Sequence, residues 1–394
     1  MIRSIRIYLS IAACLVCAAP LKAQNIDRVL RQIEANNMEL KTARERANAA
    51  KLGVKMQNSL YDPSIEYSPS FAKEVEGVVS SELTVRQDFD FPTVYAARRR
   101  AGQVQHETID QTMNVTRRDI LLKAKLLCLE MVRLKQQEQL LEKRETNADT
   151  LLVLFEKRLH EGDANILELN KIKMELMSVK AQRLETKTDY QKAIQQLQAM
   201  NAGKPLATTD FGYTLMEKID DYQTLYHEWV IADMEIAEAE AHVRSAEKGL
   251  TVSKQQWLPK ISIGYKRSKS LDDVNNGFMI GGSIPLFSNR NKVKQMKAEK
   301  IGAQLKRDDL RMQMQAQAQA KYNEIVHLEQ AMDIYDMQLM ERTLGQLGKA
   351  VQAGMMPVIT YYTEAENIYK NMEAYMNLKA RYEQLKAEVY KNRL

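Results

Sequence analysis

The sequence predicts a mainly α-helical chain with two β-hairpins, built as a tandem repeat whose strands are the segments suited to a membrane crossing. Three observations predict it. The stretch "GGSIPLFSNRNKVKQ" (281–295) passes within a few residues from alternating apolar positions, Ile280, Ile284 and Leu286, into a basic, helix-favouring run. The stretch "DFDFPTVYAARRRAG" (88–102) makes the same change, and its Pro92 stands 193 positions before Pro285. The longest uncharged apolar run, from Ile7 to Leu21, has 15 residues, where a membrane helix needs roughly 20. Any membrane crossing therefore falls to strands in a closed barrel, because unpaired strand edges are costly in lipid.

The chain begins with a leader. Arg3 and Arg6 precede the apolar run, and Leu21-Lys22-Ala23 forms a cleavage site before Gln24, so residues 1–23 read as a secretory signal peptide. Ile11-Ala12-Ala13-Cys14 offers a rival, lipoprotein-type cleavage at Cys14. Removing the leader leaves Cys128 alone of the three cysteines, which excludes a disulfide framework and a cysteine metal site. The formal charge of +6 falls to +3 when Arg3, Arg6 and Lys22 depart. That balance argues against nucleic acid as a partner.

Other features repeat at nearly the same offset. Gly53 and Pro63 meet Gly249 and Pro259 at 196, and Gly162 meets Gly354 at 192. The chain thus divides into a first repeat (24–200), a linker (201–221) and a second repeat (222–394). Each repeat opens with a helix of about 33 residues, at 25–57 and 222–256. A hairpin follows. The first alternates at Ile65, Tyr67 and Phe71, turns around "KEVEG", and returns through Leu83, Val85 and Phe89. The second uses Ile261, Ile263 and Tyr265, turns at 272–277 on Asn276-Gly277, and returns through Phe278, Ile280, Ile284 and Leu286. Strands of about ten residues suit a tilted membrane crossing.

Long helices come next, at 93–159 and 287–351. In the first, Leu127, Met131, Leu134, Leu141, Ala148, Leu152, Phe155 and Leu159 form a coiled-coil seam, interrupted by Glu138 and Glu145. Gly162 and Gly354 mark turns at the helix ends. A returning helix carries Ile172, Leu176, Val179, Tyr190, Ala193 and Leu197 on its seam. At 1.5 Å per residue the long helix spans roughly 100 Å, so two shorter helices end to end can lie beside it.

This series resembles the TolC-like outer-membrane efflux protein family over essentially the whole mature chain. The resemblance implies a mainly α fold with a β-barrel: a homotrimer, four membrane strands per chain in a 12-stranded barrel, and a long periplasmic helical tunnel. Pro92 and Pro285 would mark the strand-to-helix junctions. The glycine-marked tips, with Arg158, Leu159, Gly162, Asp163, Ala353, Gly354 and Met355, would dock a periplasmic adaptor, or membrane fusion protein. Glu168, Thr360 and Glu364 would lie at the tunnel entrance, although Thr360 stands where the family commonly has an acidic residue. The implied partners are that adaptor, an inner-membrane efflux pump of resistance-nodulation-division or ATP-driven type, and outer-membrane lipid. The implied cargo is drug or heavy metal, passing out of a Gram-negative cell with no cofactor and no chemistry.

Rival readings are constrained by the residues. Five histidines are scattered with no His-Glu-x-x-His pattern, serine elbow or phosphate loop, which leaves nothing for an enzyme. Met332, Met337, Met340, Met355 and Met356 cluster near the second tip, as soft metal ligands or as seam fillers. The basic clusters Arg98-Arg99-Arg100 and Arg290, Lys292 and Lys294 read as contacts to lipid phosphate or as solvated helix faces. A periplasmic coiled-coil adaptor or scaffold without a barrel explains the helices equally well. It leaves Tyr67, Phe71, Phe89, Phe91, Trp257, Tyr265, Phe278 and Phe287 without the interfacial role a barrel gives them.

Overall fold

A computed structural model of the chain describes residues 18–73, 75–213, 218–270 and 272–394. The charged start of the leader and Cys14 lie outside the described residues. Among the described residues the chain is mostly helical, with one four-stranded antiparallel sheet. The described residues form two compact units, each taking segments from both halves of the sequence: one from residues 18–41, 117–232 and 314–394, the other from 42–116 and 233–313.

The predicted helix 25–57 is two helices, α1 (Ala18–Asn36) and α2 (Met38–Met56). Asn37 divides them. Its Oδ1 accepts from the Leu40 N–H at 2.9 Å, capping α2, and its Nδ2 donates to the Met200 carbonyl at 2.8 Å. After strands β1 (Ser64–Ala72) and β2 (Val75–Phe89), α3 (Pro92–Glu161) is one unbroken helix of 70 residues, and α4 (Ile166–Met200) returns. The predicted helix 222–256 is likewise divided. A turn of α-helix, α5 (Tyr222–Tyr226), runs into a π-helical turn (His227–Ile231), and α6 (Met234–Gln255) starts afresh at Asp233. The Asp233 carboxylate accepts from the N–H groups of Glu235 and Ile236. Asn37 and Asp233, both buried, stand 196 residues apart, the offset of the paired glycines and prolines.

Strands β3 (Lys260–Ser270) and β4 (Val274–Ser283) complete the sheet in the order β1-β2-β3-β4. The turn differs from expectation: it is formed at Asp272-Asp273, closed by the Ser270 N–H on the Asp273 carbonyl at 2.8 Å. Asn276 and Gly277 lie inside β4, opposite Arg267 and Lys266. Side-chain register overrides the local Asn-Gly preference, because this pairing sets Phe278 against Tyr265 and Ile280 against Ile263. Ile284 and Leu286 fall beyond the strand.

The second long helix begins late and is broken. It comprises α7 (Lys292–Asp333) and α8 (Met337–Gln352), divided where the Asp336 carboxylate caps α8 through the Leu339 N–H at 2.8 Å; α9 (Val358–Val389) then returns. Pro92 is the first residue of α3, the place where a missing N–H costs nothing. Pro285 is not its counterpart in geometry. It is separated from α7 by six residues of turns that end at Asn291 with φ +67°, a left-handed conformation asparagine tolerates.

In the first unit, the later part of α3 packs with α4, α8 and α9. Leu140, Leu151, Phe155, Leu169, Ile172, Val351, Val358 and Tyr361 share one core. The α3 seam is broader than predicted. Met131, Leu134, Leu141, Ala148 and Phe155 are buried, but so are Cys128, Leu129, Val132, Leu140 and Leu151, while Leu127, Leu152 and Leu159 are half-buried. A helix with neighbours on two sides needs two adjacent apolar stripes. The interrupting glutamates bridge to α4: Glu145 accepts from Arg183 at 2.7 Å and Glu138 lies 3.6 Å from Lys187. Cys128 is buried and its thiol is pushed up to about 12, so it is inert rather than reactive.

Candidate functional site

The sheet has two chemically distinct faces. Paired residues in an antiparallel ladder project to the same side. Ile65 and Tyr67 pair with Val85 and Leu83; Phe89 and Val85 pair with Ile261 and Tyr265; Ile263 and Tyr265 pair with Ile280 and Phe278. One face therefore carries these ten apolar side chains together with Gln87, while Ser81, Arg267, Lys269 and Asn276 share it toward the end nearer the β3–β4 turn. The opposite face carries Ser64, Glu66, Ser68, Glu82, Thr84, Arg86, Ser262, Lys266, Ser268 and Ser283, with Lys266 bound to Glu82 at 2.7 Å. The apolar face is uncovered: Phe278 is 90% exposed, Ile280 83% and Ile65 72%. Such a patch in a single chain needs a partner or lipid. Among the described residues, β1 and β4 are both edges, with no further strand beside them.

At the first strand-to-helix junction a polar cluster fixes the chain. Asp90 is buried, and its carboxylate meets Arg98 at 2.7 Å and the Tyr61 hydroxyl at 3.3 Å, while its N–H donates to the Tyr95 hydroxyl. Arg98 is thus engaged within the protein, whereas Arg99 and Arg100 are exposed. At the second junction the Asn289 amide, also buried, donates to the Gln256 carbonyl.

The two tips have the same helix-ending motif. Gly162 has φ +83° and Gly354 φ +77°. The Asp163 N–H donates to the Arg158 carbonyl and Gly162 to Leu159; Met355 donates to Ala350 and Gly354 to Val351. Both are Schellman turns, which glycine permits because the left-handed position rejects a Cβ. Arg158 joins the tips: its Nη2 donates to the Gln352 carbonyl at 2.7 Å, and its guanidinium lies over the Phe155 ring. Gly162, Asp163, Ala353, Gly354 and Met355 are exposed, and Leu159 packs against the core. Arg158→Ala is expected to lower stability by about 1–2 kcal/mol through loss of this charge-assisted cap, read as a lower melting temperature.

Glu168 has a local task. Its carboxylate accepts from the Asn165 N–H at 3.1 Å while Asn165 Oδ1 accepts from Leu167, capping α4. Thr360 and Glu364 are exposed on α9. Met337, Met340 and Met356 pack against the tip core, and Met355 is exposed. A cluster that the sequence reading missed is Arg144, which bonds Glu175 at 2.8 Å and stacks on Tyr369 with its carbon 4.5 Å from the ring centre. Burial pushes the neighbouring Tyr361, Tyr362 and Tyr369 hydroxyls upward. The available signal was a charge beside the α3 seam facing the tyrosine-rich α9.

The sequence matches no family model and no curated protein. Its fold is nonetheless that of known channels. It is similar to the outer-membrane protein VceC of Vibrio cholerae (16% identity, TM-score 0.71, covering 95% of this chain and 98% of that one). It is similar to the CmeC outer-membrane channel of Campylobacter jejuni (17%, 0.70, 93% and 85%). The open state of the MtrE outer-membrane channel of Neisseria gonorrhoeae is a further neighbour (12%, 0.65, 93% and 88%).

Proposed function

We propose that the chain is one protomer of a trimeric outer-membrane channel, a passive exit for substrates that an inner-membrane pump delivers through a periplasmic adaptor. The observation that carries this reading is the two-faced sheet with two open edges. An apolar face for lipid, a polar face for a lumen and unpaired strands at both sides are what a barrel wall supplies when several chains share it. The channel fold supports the same reading. No helix among the described residues is long and apolar enough to cross a membrane, so the sheet is the segment suited to that task.

In this reading the repeats 24–200 and 222–394, joined by 201–221, each give one hairpin to a 12-stranded barrel, and their helices build a periplasmic duct. The tips dock the adaptor, and Glu168, Thr360 and Glu364 stand near its entrance. The signal peptide 1–23 sends the chain out of the cytoplasm. The scaffold alternative gives the apolar face no cover.

The test is the molar mass of protein extracted from outer membranes in mild detergent, corrected for bound detergent. Three mature chains per particle are expected; a monomer from the soluble periplasm overturns the reading. An epitope inserted at Asp272-Asp273 is expected to be labelled on intact cells with export unchanged. Insertion there spares Asn275 to Gly277, which are paired strand residues.

A further inference from the structure

The uncovered face of the sheet changes character along its length. Toward the helices it carries Phe89, Ile261, Ile263 and Ile280, and then Val85, Tyr265 and Phe278. The next row sets Leu83, Arg267 and Asn276 side by side, and the row after it Ser81, Lys269 and Val274. Both cations therefore stand at the end nearer the β3–β4 turn. Lys269 is eight residues beyond Ile261 in β3. That is about 27 Å along the strand, comparable with the roughly 25 Å apolar band of an outer-membrane barrel.

The sheet divides its charges between its faces. Glu66, Glu82 and Asp88 all project with the polar face, where Glu82 holds Lys266 at 2.7 Å and Asp88 lies 3.5 Å from Arg86. Arg267 and Lys269, on the other face, are both exposed. No carboxylate among the described residues pairs with either, those of Asp272 and Asp273 in the adjoining turn included. Asn276 Oδ1 accepts from the Tyr265 hydroxyl at 2.8 Å, which leaves the Asn276 amide N–H groups as donors. Ser81 adds a hydroxyl opposite Lys269.

These groups specify a ligand. Opposed residues lie about 5 Å apart and successive rows about 7 Å, so a guanidinium, an ammonium, an amide and a hydroxyl gather around one small area. All can donate, and the two cations call for an anion with several oxygens. The apolar rows continue directly from that area, so the anion has hydrocarbon attached. A cation on the lipid side of a barrel is costly at the midplane and nearly free at the interface, which is where the last rows of the strand stand.

We propose that the turn end of this face binds the phosphate of an anionic lipid of the outer leaflet, with Arg267 and Lys269 on the phosphate oxygens and the acyl chains along Tyr67, Tyr265 and Phe278. This rests on the channel reading, in which the hairpin turns point out of the cell. Arg267 offers a planar fork to two oxygens, and Lys269 a point charge beside it.

The full-length protein in mild detergent, supplied with equal amounts of bisphosphorylated lipid A and its dephosphorylated form, tests this by native mass spectrometry. The two probes share sugars and acyl chains, so phosphate alone separates them. About tenfold preference for the phosphorylated probe is expected, the scale of one strong charge-assisted contact. The preference should vanish when Arg267→Gln and Lys269→Gln are combined. Lys266→Gln, next to Arg267 but on the polar face, should leave it unchanged. Equal retention of both probes, an unchanged preference in the double variant, or the same loss in Lys266→Gln overturns the proposal. Retention of inorganic pyrophosphate without lipid A overturns the lipid assignment in favour of a soluble phosphate. Oligomer mass in the same spectra keeps the two readings apart: a trimer from outer membranes without the preference refutes only this patch, whereas a monomer from the soluble periplasm refutes the channel and the patch together.

Discussion

Ile263→Arg is expected to empty the outer-membrane fraction of the protein, while Ser262→Arg, one residue away in β3, leaves it in place. Ile263 pairs with Ile280 on the apolar face, and Ser262 pairs with Gly281 on the polar one. An arginine facing the middle of the hydrocarbon costs about 2–4 kcal/mol in a membrane barrel, and the proposed trimer would carry three copies. On the polar face the same side chain meets water. Quantitative blotting of separated membranes, with a heat-stable trimer band as control, reads the difference. Equal loss in both variants would mean that the sheet is merely intolerant of arginine; equal retention would mean that the apolar face does not meet lipid.

Gly162→Arg together with Gly354→Arg is expected to reduce export at least about tenfold, the scale of losing a binding hot spot, with the trimer intact. Each substitution forces an L-residue into the left-handed region, at roughly 1–2 kcal/mol, which the long helices can absorb. At Gly162 a side chain has open space around its Cβ. At Gly354 the Cβ would lie 3.7 Å from Arg158 Nη2, so the new guanidinium also repels an existing one. Asparagine at both positions tolerates the backbone without the bulk or charge, and should retain export. Adaptor crosslinking to the tips, lost in the arginine pair and kept in the asparagine pair, distinguishes lost docking from a damaged duct.

The elements that were legible in the sequence are those fixed by strong local rules. Alternation at Ile261, Ile263 and Tyr265 gave β3, and Gly162 and Gly354 gave the tips, because each follows from local geometry. The turn was expected over 272–277 but ends by Asp273, because its extent depends on cross-strand register, which Phe278 and Ile280 settle only once β3 is beside them. The helix breaks at Asn37, Asp233 and Asp336 were missed for another reason. An Asx residue inside a helix-favouring run is ambiguous until its side chain is seen to accept from the next turn. Arg144 and its tyrosines were invisible because they converge from segments more than 200 residues apart.

Each tip leaves an incoming protein little main chain to read. The carbonyls of Arg158, Leu159, Ala350, Val351 and Gln352 already have donors, supplied by the turns themselves and by the Arg158 side chain. A partner approaching there cannot bond to these five carbonyls. Contour and the side chains that project, Asp163 and Met355 among them, remain for it to recognise. In the proposed trimer, affinity built that way would be modest at each tip and grow with the number of identical tips, so assembly would be set by the number of chains gathered rather than by the strength of one contact.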